Sequence, residues 1–215
     1  FPLEFFVATL NSVIKNQDKL KYYLSELSKA EIELLPPDIN KSNRYFTIEG
    51  DSIRFGLMGL RNFGKMADKI IEEQKNGEFV NLEDFIDRMI LHIDKKMLEA
   101  LIYSGAIDSF ENSGTRQAKI SAIPEILEFS RKVKSLAKEV ENIPFRLPEL
   151  DIFYNEFNKI QIDKEMEEFD KRFKVEQEHK FAGFYITDHP LNEHLLKIEQ
   201  VGTVEIIEIL PDKED

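Results

Sequence analysis

Leu3, Phe6, Val7, Leu10, Val13 and Ile14 recur at spacings of three and four, which predicts a helix over residues 3–14 with one apolar face. A second helix follows, with Leu20, Tyr23, Leu24 and Leu27 as its stripe and Asn16 or Asp18 as its cap. Pro36-Pro37 ends the helical run and forces an extended passage. From Tyr45 to Phe55, β-branched and aromatic residues flank Gly50-Asp51, a two-residue turn with Gly first, which predicts a β-hairpin. After Gly56 the helical period returns, in short helices broken at Gly64, Gly77 and Gly105. Asn81, three before Asp84, and Asp94, ahead of Met97, Leu98, Leu101 and Ile102, are cap positions, and Gly105 is a natural C-terminal stop.

Residues 118–140 predict a longer helix; Pro124 is tolerated in a first turn, so its start is expected near Ile123. Residues 142–153 hold Pro144 and Pro148 without a helical period and read as an exposed connection. A charged helical stretch from Asp163 to Lys180 leads into Phe181-Ala182-Gly183-Phe184-Tyr185-Ile186-Thr187, patterned as a short strand. The fold expected is mostly α, with one small β-hairpin and a short strand or two, in at least two loosely joined units.

The 215 residues include 17 Phe, enough apolar bulk for a core. With no Cys, neither a disulfide framework nor a thiolate zinc site is available, which fits a reducing, cytoplasmic setting. No apolar run reaches the roughly 18 residues of a membrane span, so a soluble protein with no membrane partner is expected. The chain starts Phe1-Pro2-Leu3 rather than with Met, as an excised fragment would. A formal charge of −12 argues against a whole-surface grip on nucleic acid and requires any such contact to be local. From Glu139 to Glu178, twelve Asp and Glu face six Lys and Arg, whereas Arg54 to Lys75 is slightly basic.

Chemistry has few footholds. No Asp-x-Asp, Gly-x-Gly or P-loop occurs, and His189 and His194 are five apart, off a shared helical face, so no catalytic residue and no metal site is expected in this chain. The informative stretch is Gly59 to Ile71. A short helix, a tight turn around Gly64 and an amphipathic helix would leave backbone N–H groups at the second helix's start for a phosphate oxygen. Gly64 permits φ > 0 and a close DNA approach, and Lys65 and Lys69 add cations on the following turn. The run Arg61, Asn62, Phe63, Gly64 resembles the turn of a helix-hairpin-helix motif. Asn62 stands where the motif has its first Gly, and Gly64 to Ala67 is one residue shorter than usual. An ordinary helix-loop-helix packing corner fits the same residues.

Further pieces appear in a consistent order: Phe-Pro-Leu-Glu-Phe-Phe at the start, Leu-Pro-Pro-Asp-Ile-Asn at 35–40, and Ile-Arg-Phe-Gly-Leu at 53–57. Leu-Glu-Asp-Phe follows at 82–85, then Leu-Glu-Ala-Leu-Ile-Tyr-Ser-Gly-Ala-Ile-Asp at 98–108, and Gly183 to Leu191 through His189-Pro190. Together they resemble the bacterial DNA polymerase III alpha family, most weakly over 115–180. The resemblance implies a parent DNA-directed DNA polymerase, a nucleotidyltransferase of DNA replication whose two Mg²⁺ ions are held by palm carboxylates absent here. It implies end-of-fingers helices at 1–38, a tandem helix-hairpin-helix DNA-binding domain at 39–112, a helix at 113–141, a connection at 142–160 and a segment at 161–215 leading to the next domain. A second, degenerate hairpin would lie at Ile90 to Ile93, with His92, Lys95 and Lys96 facing phosphate; a solvated helix start fits them equally. Double-stranded DNA, the sliding clamp and other replicase subunits are the implied partners.

Glu149-Leu150-Asp151-Ile152-Phe153 is similar to the peptide by which such polymerases hold the ring-shaped clamp, of form Gln-Leu-(Ser or Asp)-Leu-Phe, with Glu149 in place of Gln. Its alternative role is local: Ile152 and Phe153 anchoring the connection on this chain's own core. The rival to DNA and clamp binding is a non-catalytic helical scaffold that binds only protein.

Overall fold

The structure, a computed structural model, describes residues 2–61, 63–140 and 162–186, leaving aside the side chains of residues 136 and 138–140. The first two helices, α1 (Pro2–Val13) and α2 (Gln17–Lys29), follow the apolar spacing, and the Asn16 side chain caps α2 by accepting the Lys19 N–H at 3.1 Å. Leu10, Ile14, Leu20, Leu24 and Leu27 are buried between them and the rest of the core.

The expected hairpin forms from β2 (Thr47–Glu49) and β3 (Ser52–Arg54), with Ile48 opposite Ile53 and left-handed φ at Gly50 only. A third strand, β1 (Leu34–Leu35), joins parallel to β3, giving the order β1-β3-β2. Arg54 ties this sheet together. Its guanidinium donates to both Glu49 carboxylate oxygens, at 2.8 and 2.7 Å, and to the Pro36 carbonyl at 2.8 Å.

The extended passage after Pro36-Pro37 is held by asparagines that imitate a strand neighbour. Asn40 accepts from the Phe79 N–H and donates to the Phe79 carbonyl, both at 2.8 Å; Asn11 does the same for Phe46, at 2.8 and 3.0 Å. Buried backbone polar groups without a ladder are thereby satisfied.

A single 3₁₀ turn (Leu57–Gly59) precedes α3 (Gly64–Gln74); α4 (Leu82–Met89) and α5 (Lys95–Tyr103) follow, capped by Asn81 and Asp94 as their sequence positions predict. Gly105, at φ +76°, stops α5. Arg88 closes the α3–α4 connection. It donates to the carbonyls of Glu73, Gly77 and Glu78 and lies 4.2 Å over the Phe79 ring.

Two later elements differ from the sequence expectation. The long helix α6 (Arg116–Val140) starts at Arg116, so Pro124 lies inside it rather than in its first turn. An interior Pro costs about 3 kcal/mol. Here the start is secured from outside the helix: Thr115 Oγ1 accepts the Ala118 N–H, and Glu168 accepts the amides of Arg116 and Gln117. Burial of Ala118, Ala122 and Ile123 adds to that. The second difference is α7 (Lys171–Ala182), which is shorter than the charged stretch predicts, because Asp170 caps it by accepting from Arg172 and Phe173. Phe181 and Ala182 end this helix instead of opening a strand, Gly183 adopts φ +84° as its left-handed stop, and residues 183–186 form no strand.

One contiguous buried cluster runs from Leu10 to Ala182. The described residues share this core, and α7 is joined to α6 by a buried ion pair. The Arg116 guanidinium contacts Asp108 and Glu178 at 2.7 Å each, and the Glu178 side chain is fully buried. Burial disfavours the Arg116 charge, but the two carboxylates outweigh it and hold its pKa above the ordinary value.

Candidate nucleic-acid interface

The first hairpin is built by the 3₁₀ turn and α3. Phe63 precedes α3 without a side-chain cap, and among the described residues the Gly64 and Lys65 N–H groups have no acceptor, while Met66 and Ala67 already donate to the Phe63 carbonyl. Two amides thus point off the positive end of an 11-residue helix, where an anion is stabilised. Lys65 and Arg61 are exposed beside them, and Lys69, one turn on, is half-exposed and 3.6 Å from Glu72.

Two expectations change in detail. Gly64 is the first residue of α3 and is not in the left-handed region; a Cβ there would meet only Met58 Cε, at 3.7 Å. Its smallness therefore serves approach from outside rather than the turn's own geometry. The Phe63 side chain is 1% exposed and belongs to the core, leaving only its backbone near the surface. Asn62 lies outside the described residues.

The second hairpin runs from α4 through Ile90, Leu91 and His92 into α5. His92 and Ile93 both donate to the Met89 carbonyl, at 2.7 and 3.0 Å, which closes the turn, and Ile93 is buried as its apolar anchor. The Lys95 and Lys96 amides have no acceptor among the described residues, and His92, Lys95 and Lys96 are exposed. Of the predicted residues, Arg61 and Lys65 in the first hairpin and His92, Lys95 and Lys96 in the second are exposed beside a pair of amides that have no acceptor among the described residues. The two are not equivalent. Asp94 places a carboxylate at the second helix start, occupied by the Met97 N–H at 2.8 Å, and Lys95 is drawn to Glu99 at 3.5 Å. Hairpin one has no such anion at its helix start.

Three residues beside these hairpins escaped the sequence reading. Arg44 reaches Asp68 at 2.6 Å, and Asp68 lies one turn on from Lys65 along α3. Arg44 Nε is buried with no acceptor among the described residues. Ser130 and Lys134 of α6 donate to the carbonyls of Ile90 and Ile93, at 2.8 and 2.6 Å. Nothing in the local pattern signals any of them, because each acts on a partner distant in sequence. At hairpin one, the Arg61 N–H is fixed by the Phe181 carbonyl of α7, at 2.8 Å.

Among the described residues no three His, Asp or Glu side chains gather so as to hold a metal ion. Residues 149–153, the peptide similar to a clamp-binding sequence, lie outside the described residues. No helix among the described residues is long and apolar enough to cross a membrane.

Two successive helix–turn–helix units with open amides at each second helix define a helix-hairpin-helix protein, and a family profile described as a helix-hairpin-helix motif matches residues 31–118. The chain is similar along its length to DNA polymerase III subunit alpha: 32% identical over 100% of the chain in Borreliella burgdorferi, 32% over 98% in Campylobacter jejuni and 33% over 97% in Bacillus subtilis. It belongs to the DNA polymerase III alpha subunit family. The chain spans less than a fifth of the length of these relatives, covering 19%, 17% and 18% of them.

Proposed function

We propose that this chain is the part of a replicative DNA-directed DNA polymerase that holds duplex DNA through its sugar–phosphate backbone, working in the cytoplasm beside other replicase subunits. The observation that carries this is the repeated pair of amides without an acceptor among the described residues, each with an adjoining lysine, at Gly64-Lys65 and Lys95-Lys96. Each pair can donate to one phosphate oxygen while the lysine neutralises charge, and neither group reads a base. Such a grip suits an enzyme that must travel along any sequence. In this reading residues 1–38 close the fingers, 39–112 hold the duplex, 113–141 form a supporting helix and 161–215 lead onward. Nucleotide transfer itself depends on magnesium-binding carboxylates outside this chain, so the chain alone does not extend a primer.

The clamp contact is assigned to Glu149, Leu150, Asp151, Ile152 and Phe153. Leu150, Ile152 and Phe153 supply apolar anchors worth about 1.5–3 kcal/mol each in gross burial, before ordering costs. Glu149 cannot donate the amide hydrogen bonds of the usual Gln, which makes this a weak tether. A labelled peptide spanning residues 145–157 should bind the cognate clamp saturably and lose binding with Leu150→Ala and Phe153→Ala together. If neither it nor its Glu149→Gln form binds, the clamp assignment fails.

The DNA grip is tested by anisotropy on a labelled primer–template duplex. Lys65→Ala should weaken binding equally on unrelated sequences and reduce the salt slope by about one unit, with folding intact. An unchanged slope would make Lys65 a solvated helix residue.

A further inference from the structure

The turn of the second hairpin leaves two carbonyls without a backbone donor: that of Ile90, at the negative end of α4, and that of Ile93, just ahead of the Asp94 cap. Unpaired, both would put negative partial charge at the edges of a turn meant to receive a phosphate. Both are instead satisfied by one helix from outside the hairpin. Ser130 Oγ donates to Ile90 at 2.8 Å and Lys134 Nζ to Ile93 at 2.6 Å, and their spacing of four puts them on one face of α6. Ser130 is 1% exposed, so its hydroxyl has no competing water, while Lys134 brings a full positive charge to the carbonyl nearest the open amides.

We infer that Ser130 and Lys134 are positioning residues of the second hairpin, fixing its turn from both ends so that the Lys95 and Lys96 amides are held ready for a phosphate. Both lie beyond the matched helix-hairpin-helix region, which ends at residue 118. The hairpin that binds is therefore a three-helix device, α4 and α5 with α6 as its brace. This deepens the DNA-binding reading and rests on it.

The test uses the whole chain, with duplex binding followed against salt and amide exchange followed at His92 and Ile93. Lys134→Met, at a partly exposed position, should fold, speed exchange at His92 and Ile93 at least about tenfold, and weaken duplex binding roughly 3- to 10-fold without changing the salt slope. Lys134→Arg, which restores a donor, should recover both. Ser130→Ala should reproduce the exchange effect, and Ser130→Thr should not. Lys95→Ala is the contrast: slope lowered by about one, exchange unchanged. Parental affinity and exchange in Lys134→Met would overturn the inference, and so would a lowered salt slope, which would make Lys134 a direct phosphate contact. If those results come with an intact Lys65→Ala effect, the DNA-binding reading survives alone. If the parent chain itself shows no salt-dependent binding, both fall together.

Discussion

Gly56 and Gly64 look alike in the sequence, each opening a helical run, yet they answer to different constraints. A Cβ at Gly56 would sit 2.3 Å from the Tyr45 carbonyl carbon and 2.5 Å from the Phe46 nitrogen, both backbone atoms that cannot swing aside. Gly56→Ala should therefore destabilise the fold by about 1–3 kcal/mol, the usual cost of overpacking, measured by chemical denaturation. Gly64→Ala should leave stability unchanged or raised by up to about 1 kcal/mol, since a Gly within a helix is replaced, while duplex affinity falls because the phosphate's approach is crowded. Equal losses of stability in the two variants would contradict the placement of Gly64. Lys119 presents the opposite problem, a buried cation with no side-chain hydrogen bond or ion pair among the described residues. Burial pushes its pKa below the ordinary value despite Asp108 and Glu168 nearby. A lysine whose folded pKa is depressed binds its proton more weakly folded than unfolded, so it reduces stability at neutral pH and the deficit fades as pH rises through the folded pKa. Lys119→Met should raise the melting temperature at pH 7, with a smaller gain near pH 10; a lowered melting temperature at pH 7 would show that the charge is needed.

At the scale of elements, legibility followed how local the deciding interaction is. Helices α1 to α5, their caps at Asn16, Asn81 and Asp94, and the Gly50-Asp51 hairpin were readable because spacing, cap and turn lie within a few residues of one another. The start of α6 and its tolerance of Pro124 were not, because Glu168 decides them from another part of the chain. The candidate site divides the same way. The exposed positions of Lys65, Lys95 and Lys96 at helix starts follow from motif and order, whereas Ser130 and Lys134 act across about forty residues. Glu168 also carries a pH signature. Partial burial opposes its charge, but donation from the Phe169 N–H, Lys174 and the Arg116 N–H prevails and holds its pKa below the ordinary 4.5. A depressed carboxylate contributes stability above its unfolded pKa and loses it as pH falls through the folded one. Glu168→Gln should therefore lower the melting temperature at pH 7, and the gap to the parent should close as pH is brought below about 4.5. A gap that persists into acid would mean that Glu168 supports α6 by packing rather than by charge.

For the molecule as a whole, the net charge of −12 is the feature most at odds with binding a polyanion, and it makes the prediction sharp. Binding that depends on a few local cations in an acidic protein must be weak, steep in salt and indifferent to sequence, because repulsion elsewhere offers no background affinity. The most direct measurement is the affinity of the whole chain for two unrelated primer–template duplexes between about 50 and 200 mM salt, repeated with Lys65, Lys69, Lys95 and Lys96 all changed to Ala. Expected are equal affinities on both duplexes, a log–log slope of about −3 to −4 for the parent, and loss of nearly all of that slope in the fourfold variant while its fold is retained. A folded parent that binds neither duplex, or a fourfold variant that binds both as the parent does, would contradict the DNA-binding reading and leave a helical scaffold for protein partners in its place.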